Sequence, residues 1–245
     1  MKAMVFAAGL GQRLRPLTDN IPKAMVPVAG RPMIEYPLLL LRHYGIREII
    51  INLHHCGDKI EEHLGDGKAL GLRINYSREE RLLDTGGGLL KARPFLDGES
   101  FLVINSDVLI DISLRDLLAY HREKKAAATL VLRADALAER YGAIESDGDG
   151  RIHRFLSYRL PGPKPAISNV RMFTGVHVIE PKMFNYMDSP EPFGITRATY
   201  PKMLLSDEPL FGFNYEGFWQ DLGAPETIRG ANEKLSSGAV KLHYL

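Results

Sequence analysis

The stretch Ala7–Val28, AAGLGQRLRPLTDNIPKAMVPV, decides how this chain is read. A short apolar run just ahead of and into it, Ala3 to Ala8, predicts a buried first strand. Gly9 and Gly11 follow at once, and glycine lets a backbone turn sharply enough for amide N–H groups to approach an anion. Arg13 adds a planar fork suited to phosphate oxygens, and Lys23 adds a compact point charge ten residues later. Glycines after a strand also serve ordinary βα turns, so the weight rests on the charges that accompany them. Two better-known phosphate motifs are absent. Leu14 stands where the dinucleotide fingerprint needs its third glycine, and Gly-Lys-Ser/Thr occurs nowhere.

Composition sets the frame for those charges. A chain of 245 residues with 45% hydrophobic and 25% charged side chains is long enough to bury one large core. The formal net charge of +1 gives no electrostatic case for a nucleic acid or an anionic membrane as partner, so small anions must be met by local cations. Cys56 is the single cysteine, which excludes an internal disulfide. No signal-peptide pattern precedes the first strand, and no apolar run approaches the roughly 18 residues of a membrane span. The expectation is a cytoplasmic protein.

For about its first 135 residues the chain alternates strand and helix signals. Helices are predicted over Met33–Tyr44, with a kink at Pro37 and a stop at Gly45, and over Asp58–Leu64 and Leu114–Lys124, with another starting at Gly88. Strands are predicted over Glu48–Leu53, Leu72–Tyr76, Phe101–Ile104 and Thr129–Arg133. That alternation predicts a three-layer α/β fold, Rossmann-like, with a mixed, mostly parallel sheet. Ligands of such sheets bind beyond the carboxyl ends of the strands, where Ala8, Gly9, Gly11 and Asp107 fall. From Tyr141 the rhythm changes to short strands and turns. Ala143–Glu145 and Arg151–Phe155 read as a hairpin through Asp147–Gly150, which lacks the glutamate of a calcium loop, and Met172–Ile179 and Phe211–Tyr215 read as further strands. One domain spanning residues 1–245 is expected, in two parts, residues 1–135 and residues 136–245.

Two acidic residues extend the phosphate reading. Asp107 follows the strand Phe101–Ile104, where a carboxylate is placed to hold a hard cation such as Mg²⁺ together with phosphate oxygens, although an Asp after a strand is also a common turn cap. Asp221 lies in Trp219-Gln220-Asp221-Leu222-Gly223, more than a hundred residues further on. His54, His55 and Cys56 are consecutive and cannot all face one point, so they do not read as a metal site.

The sequence Gly9, Gly11, Arg13, Leu14, Pro16, Leu17, Thr18, Pro22 and Lys23 resembles the signature of sugar-1-phosphate nucleotidylyltransferases, with Ala24 in place of a usual proline. The resemblance implies a nucleotidylyltransferase fold of the GT-A-like kind, an NTP and a sugar 1-phosphate as partners, and Mg²⁺ on Asp107 and Asp221. Arg13 would then face the β- and γ-phosphates, and Lys23 the α-phosphate and the sugar phosphate. Leu83-Asp84-Thr85-Gly86-Gly87-Gly88 looks like the N-acetylmuramate-1-phosphate uridylyltransferase type, which implies UTP and a place in cell-wall recycling. Thr85, Gly86 and Gly87 would lie against base or ribose, and Glu79 would accept a hydrogen bond from a base N–H. Tyr141-Gly142-Ala143-Ile144-Glu145 and Phe173-Thr174-Gly175 resemble the segments in which Gly142, Glu145, Thr174 and Gly175 hold the sugar. The family's Glu-Lys-Pro is replaced by Leu156-Ser157-Tyr158-Arg159, which leaves Arg159 or Lys164 to meet the sugar phosphate. Guanylyl transfer to mannose or heptose phosphate, and UTP or dTTP with glucose 1-phosphate, stay open beside the muramate reading. So do a non-catalytic sugar-nucleotide-binding regulatory protein and the choice between monomer and homodimer. A glycosyltransferase would be expected to show Asp-x-Asp where Asn105-Ser106-Asp107 stands.

Overall fold

In the computed structural model, residues 1–135, 138, 142–162, 169–187 and 192–245 are described. The fold is α/β, a single domain on a mixed central sheet, and its contacts group into two compact units. The first comprises Met1–Leu82, Ile104–Ile112 and Gly217–Leu245; the second comprises Leu83–Val103 and Ser113–Glu216. The last segment of the chain thus packs with the first.

In the first unit β1 (Lys2–Phe6) ends two residues before the apolar run does. The short pair β2 (Pro27–Val28) and β3 (Arg31–Pro32) follows. Next come β4 (Glu48–Leu53) and β5 (Arg73–Arg78). β1, β4 and β5 run parallel, Lys2 beside Glu48 and Glu48 beside Arg73. Ala3, Met4, Val5, Ile49 and Ile51 are fully buried, as a parallel sheet covered on both faces requires. The end of β6 (Phe101–Asn105) belongs here too, and the Ser106 N–H donates to Phe6 O at 3.0 Å. β7 (Val108–Ile110) pairs antiparallel with β14 (Trp219–Asp221), which brings the distant C-terminal segment back to the strand ends. Helix α1 (Glu35–His43) is shorter than its pattern suggests. Pro37 falls in its first turn, where no intrahelical N–H bond is lost, so the expected kink does not arise. Gly45, at φ 74°, ends it as predicted, and the Ile46 N–H closes back on Leu41 O at 3.0 Å. Helix α2 (Gly57–Leu64) packs on β5.

In the second unit, α3 (Asp84–Lys91) corrects the reading of the triple glycine. Gly86, Gly87 and Gly88 lie inside the helix, which starts four residues before the expected Gly88. A Cβ on Gly86 would stand 2.3 Å from the Phe193 ring, so that glycine lets the side chain close on the helix. The short α4 (Arg93–Leu96) and then α5 (Leu114–Glu123) follow, the latter capped by Ser113 Oγ accepting from the Asp116 N–H at 3.3 Å. β8 (Ala128–Arg133), β9 (Ile144–Ser146), β10 (Ile152–Phe155), β11 (Tyr158–Arg159), β12 (Asn169–Ile179) and β13 (Leu210–Asn214) complete the strands. The order β11–β10–β9–β12–β8–β13 is antiparallel except for β8 with β13. The expected hairpin turn is present: Asp147 Oδ1 accepts from the Asp149 and Arg151 N–H groups at 3.0 Å each, an Asx turn. Helix α6 (Tyr200–Leu205) belongs to this unit, and α7 (Pro225–Ser236) to the first.

Candidate active site

Beyond the end of β1 the chain turns through Ala7–Gly11. Gly11 adopts φ 64°, and a Cβ there would stand 2.9 Å from Thr18 Cγ2 and 3.1 Å from Lys23 Cβ, so the turn closes only over glycine. Thr18 Oγ1 donates to Gly11 O at 2.8 Å and locks that closure. Gly9 is different: nothing lies within 4 Å of the place where its side chain would be. A glycine that no neighbour requires leaves backbone open to a ligand.

Lys23 and Asp107 meet directly. Lys23 Nζ donates to Asp107 Oδ2, the two side chains being only 14% and 20% exposed. Lys23 stands in the 3-10 turn Lys23–Met25, and Asp107 in the turn between β6 and β7. Asp221 arrives on β14, where it pairs with Val108, and the Leu222 N–H donates to Asp107 O at 2.8 Å. Burial pushes the Asp221 carboxyl above the usual carboxylate range. The charge of Asp107 pushes the same way, while Lys23, the Gly223 N–H and Arg13 partly offset it. The Gly223 N–H donates to Asp221 Oδ1 at 2.9 Å. A Cβ on Gly223 would lie 2.3 Å from Arg13 Nη2 and 2.5 Å from Asp221 Oδ1, which places the Arg13 guanidinium against the same turn. Arg13, Lys23, Asp107 and Asp221, separated widely in sequence, thus converge within the first unit. Among the described residues no cluster of three or more His, Cys, Asp or Glu could hold a metal ion. Two neighbouring carboxylates, one of them reluctant to ionise beside the other, suit a hard cation that draws its remaining ligands from phosphate and water.

Glu79 is 5% exposed at the end of β5 and is held by a residue that the sequence reading did not single out. Asn52 Nδ2 donates to Glu79 Oε1 at 2.8 Å, and Asn52 Oδ1 accepts from the Ala7 N–H at 2.9 Å. The backbone donor at Ala7 fixes which end of the amide is oxygen, so the amino end must face Glu79. His54 Nδ1 bonds Glu79 O at 2.9 Å and His55 Nε2 bonds Thr18 O at 3.0 Å, each ring serving a loop carbonyl.

The expected nucleotide residues of α3 are pinned within the second unit. Thr85 Oγ1 accepts from the Ile195 N–H at 3.0 Å, and the Gly86 and Gly87 N–H groups donate to Phe193 O at 2.8 and 3.2 Å. Both of those N–H groups thus share one acceptor, the Phe193 carbonyl. On the expected sugar side, Glu145 carries two arginines. Arg154 Nη1 donates to Glu145 Oε1 at 2.6 Å, while Arg159 donates to both carboxylate oxygens at 2.7 and 3.0 Å. Arg159, with Arg154, holds that carboxyl below its usual range. Thr174 Oγ1 donates to Val131 O at 2.9 Å, and Gly175, at φ 88°, lies in the irregular stretch of β12 between Phe173 and His177. Gly142, at φ 111°, borders a cavity of about 570 Å³ in this unit. Tyr141 and Lys164 lie outside the described residues.

The nucleotidyl transferase family pattern matches residues 2–238. The chain belongs to the nucleotidyl transferase family. It is 36% identical to the N-acetylmuramate alpha-1-phosphate uridylyltransferase of Neisseria meningitidis, over 91% of this chain and 93% of that one. It is 35% identical to the UTP–glucose-1-phosphate uridylyltransferase of Synechocystis, over 91% of this chain and 60% of that protein. It is 32% identical to the mannose-1-phosphate guanylyltransferase of Mycobacterium tuberculosis, over 94% and 63% respectively. The chain thus spans about three-fifths of the length of several curated relatives. A putative glucose-1-phosphate thymidylyltransferase from Bacillus anthracis, solved with sucrose, shares the fold at a TM-score of 0.80 and 23% identity, covering 95% of this chain and 94% of that one. HddC from Yersinia pseudotuberculosis, complexed with GMP-PN, does so at 0.76 and 22%, covering 96% and 99%.

Within this member of the nucleotidyl transferase family the residues missed by sequence reasoning are partners of recognised ones. Asn52 ends a β-branched run and reads as a strand residue; only the approach of β1 and β5 to β4 reveals it between Ala7 and Glu79. Phe193 carries no motif at all. Gly86 in α3 is the signal that something large closes on that helix.

Proposed function

We propose that this nucleotidyl transferase moves a uridylyl group from UTP to a sugar 1-phosphate, with N-acetylmuramate 1-phosphate as the favoured acceptor, giving a UDP-sugar and pyrophosphate. The observation that carries the reading is the convergence of Lys23, Asp107, Asp221 and Arg13 at one set of strand ends. An oxygen of the sugar phosphate attacks the α-phosphorus in line; a new P–O bond forms as the bond to the β-phosphate bridge breaks. No covalent enzyme intermediate is needed, so catalysis is positioning and charge stabilisation. Lys23 exchanges Asp107 for the α-phosphate oxygens, where negative charge develops, and Arg13 takes the outgoing β- and γ-phosphates. Asp107 and Asp221 would hold Mg²⁺, which when bound supplies positive charge to the triphosphate. Glu79, set by Asn52, accepts from the N3–H of uracil; cytosine would set a lone pair against that carboxylate. The muramate-type relative matches over nearly the full length of both chains, which favours its substrate pair over those of the longer relatives.

Pyrophosphate release measured over four NTPs and a panel of sugar 1-phosphates, with and without Mg²⁺, tests this. UTP with N-acetylmuramate 1-phosphate should give the highest kcat/KM. Release with no pair at all would leave a binding or regulatory protein, and a preference for GTP would overturn the base assignment.

A further inference from the structure

From Ile49 to Leu53, β4 is apolar except at Asn52, and all five residues are buried. An amide in such a place costs stability unless both of its ends find partners. Both do. Oδ1 accepts from the Ala7 N–H and Nδ2 donates to Glu79 Oε1, at 2.9 and 2.8 Å, the distances of well-formed bonds. Register explains how one short side chain reaches so far. Asn52 stands beside Phe6 of β1 on one side and Ser77 of β5 on the other. Ala7 comes one residue after Phe6, where the glycine turn begins, and Glu79 two residues after Ser77. The Glu79 N–H donates to Leu53 O at 2.7 Å, so the carboxylate-bearing residue leaves β5 along the edge of β4. Asparagine alone of the residues close to its size offers an acceptor to one neighbour and a donor to the other. Leucine offers neither, and an ionised aspartate offers only acceptors.

We infer that Asn52 is a positioning residue that determines base specificity, its one amide holding both the start of the phosphate turn and the carboxylate that reads the base. Binding of the triphosphate and choice of the base are then set by the same side chain. The inference rests on Glu79 reading the base, as proposed above.

The test uses the full chain as wild type, Asn52→Leu, Asn52→Asp and Glu79→Gln, with Kd for UTP and for CTP measured by titration calorimetry at pH 6 and pH 8.5. Asn52→Leu leaves Glu79 and the Ala7 N–H unheld. It should weaken UTP and narrow the preference for UTP over CTP by about tenfold. Asn52→Asp keeps an oxygen for Ala7 but can donate to Glu79 only while the two carboxyl groups share a proton. Its preference should therefore be narrow at pH 8.5 and return towards the wild-type value at pH 6. His54, whose ring meets the Glu79 carbonyl, titrates in variant and wild type alike, so each variant is read against wild type at the same pH. A residue that merely held the strands together would lower Tm and weaken both nucleotides equally, leaving their ratio unmoved. Should Asn52→Leu fail to fold, the pH dependence of Asn52→Asp decides. If Glu79→Gln narrows the ratio while the Asn52 variants keep it at both pH values, the role of Asn52 is overturned and the base reading stands. An unchanged ratio in Glu79→Gln overturns the base reading and this inference with it.

Discussion

The first unit keeps its opposite charges in contact, Lys23 on Asp107 and Arg13 beside the Asp221 turn, whereas the second gives Glu145 two arginines and Arg171 none of its own. Both arrangements are built from the same residue types, carboxylates beside lysine or arginine. In the first unit the cations and carboxylates compensate one another, and a ligand bearing both a metal and a polyphosphate would exchange partner for partner. In the second, among the described residues, Glu145 is shared by Arg154 and Arg159 while Arg171 Nε and Nη1 stay without a hydrogen-bond partner. A charge paired within its own unit is compensated by the fold itself, whereas a buried one left unpaired costs stability.

The largest effect is expected from breaking the first arrangement. Asp107→Asn should fold and lose about 10²-fold or more in turnover, the loss typical of removing one preorganised charge, and steady-state pyrophosphate release at saturating Mg²⁺ checks it. Near-normal turnover would make Asp107 a turn cap. The next effect separates the units by pH. His177 is fully buried against the Tyr200 hydroxyl, and burial holds its pKa down to about 3, from 6.5. A group depressed in the folded state gives stability that is complete above pH 6.5 and lost as pH falls towards 3. The slope is about 1.4 kcal/mol per pH unit. Chemical denaturation between pH 7 and 4 should show that slope, and His177→Phe combined with Tyr200→Phe should lose it; an unchanged slope would remove His177 from the account. About tenfold is expected from Glu79→Gln, which should narrow the UTP-to-CTP ratio of kcat/KM, since a buried polar mismatch costs roughly 1–3 kcal/mol. Equal ratios in variant and wild type would take Glu79 out of base reading. The smallest effect has the opposite sign to that of His177. Asp221 holds its proton to higher pH in the folded state, so its contribution is greatest in acid and declines as pH rises through the window above the ordinary carboxylate range. Asp221→Asn should therefore melt slightly higher than wild type at pH 7.5 and converge with it in acid, while being inactive; a lower Tm at pH 7.5 would contradict the shift.

Local chemistry was legible where it is written in consecutive residues. The glycine turn, the strand Glu48–Leu53 and the Asx hairpin at Asp147 each rest on neighbours in sequence, and they appear where expected. Asp107 and Asp221 were readable as candidates, but their meeting depends on β14 pairing with β7, which no local pattern specifies. The triple glycine misled because glycine is a poor helix former. Its position in α3 follows from the Phe193 ring, a tertiary contact that overrides propensity. Arg171 was invisible for the complementary reason: an arginine in a strand reads as exposed, and only the register with Ile144 and Phe155 shows it buried.

The return of β14 has a consequence in time. Asp107 and Asp221 are 114 residues apart, a distance that translation at about 5–20 residues per second covers in roughly 6–23 s. Throughout that interval the nascent chain carries the glycine turn, Lys23 and Asp107 but only half of the carboxylate pair. Until residues 217–245 have been made the first unit is itself incomplete, so the Lys23–Asp107 contact acquires its second carboxylate only with the last of the segments that build that unit.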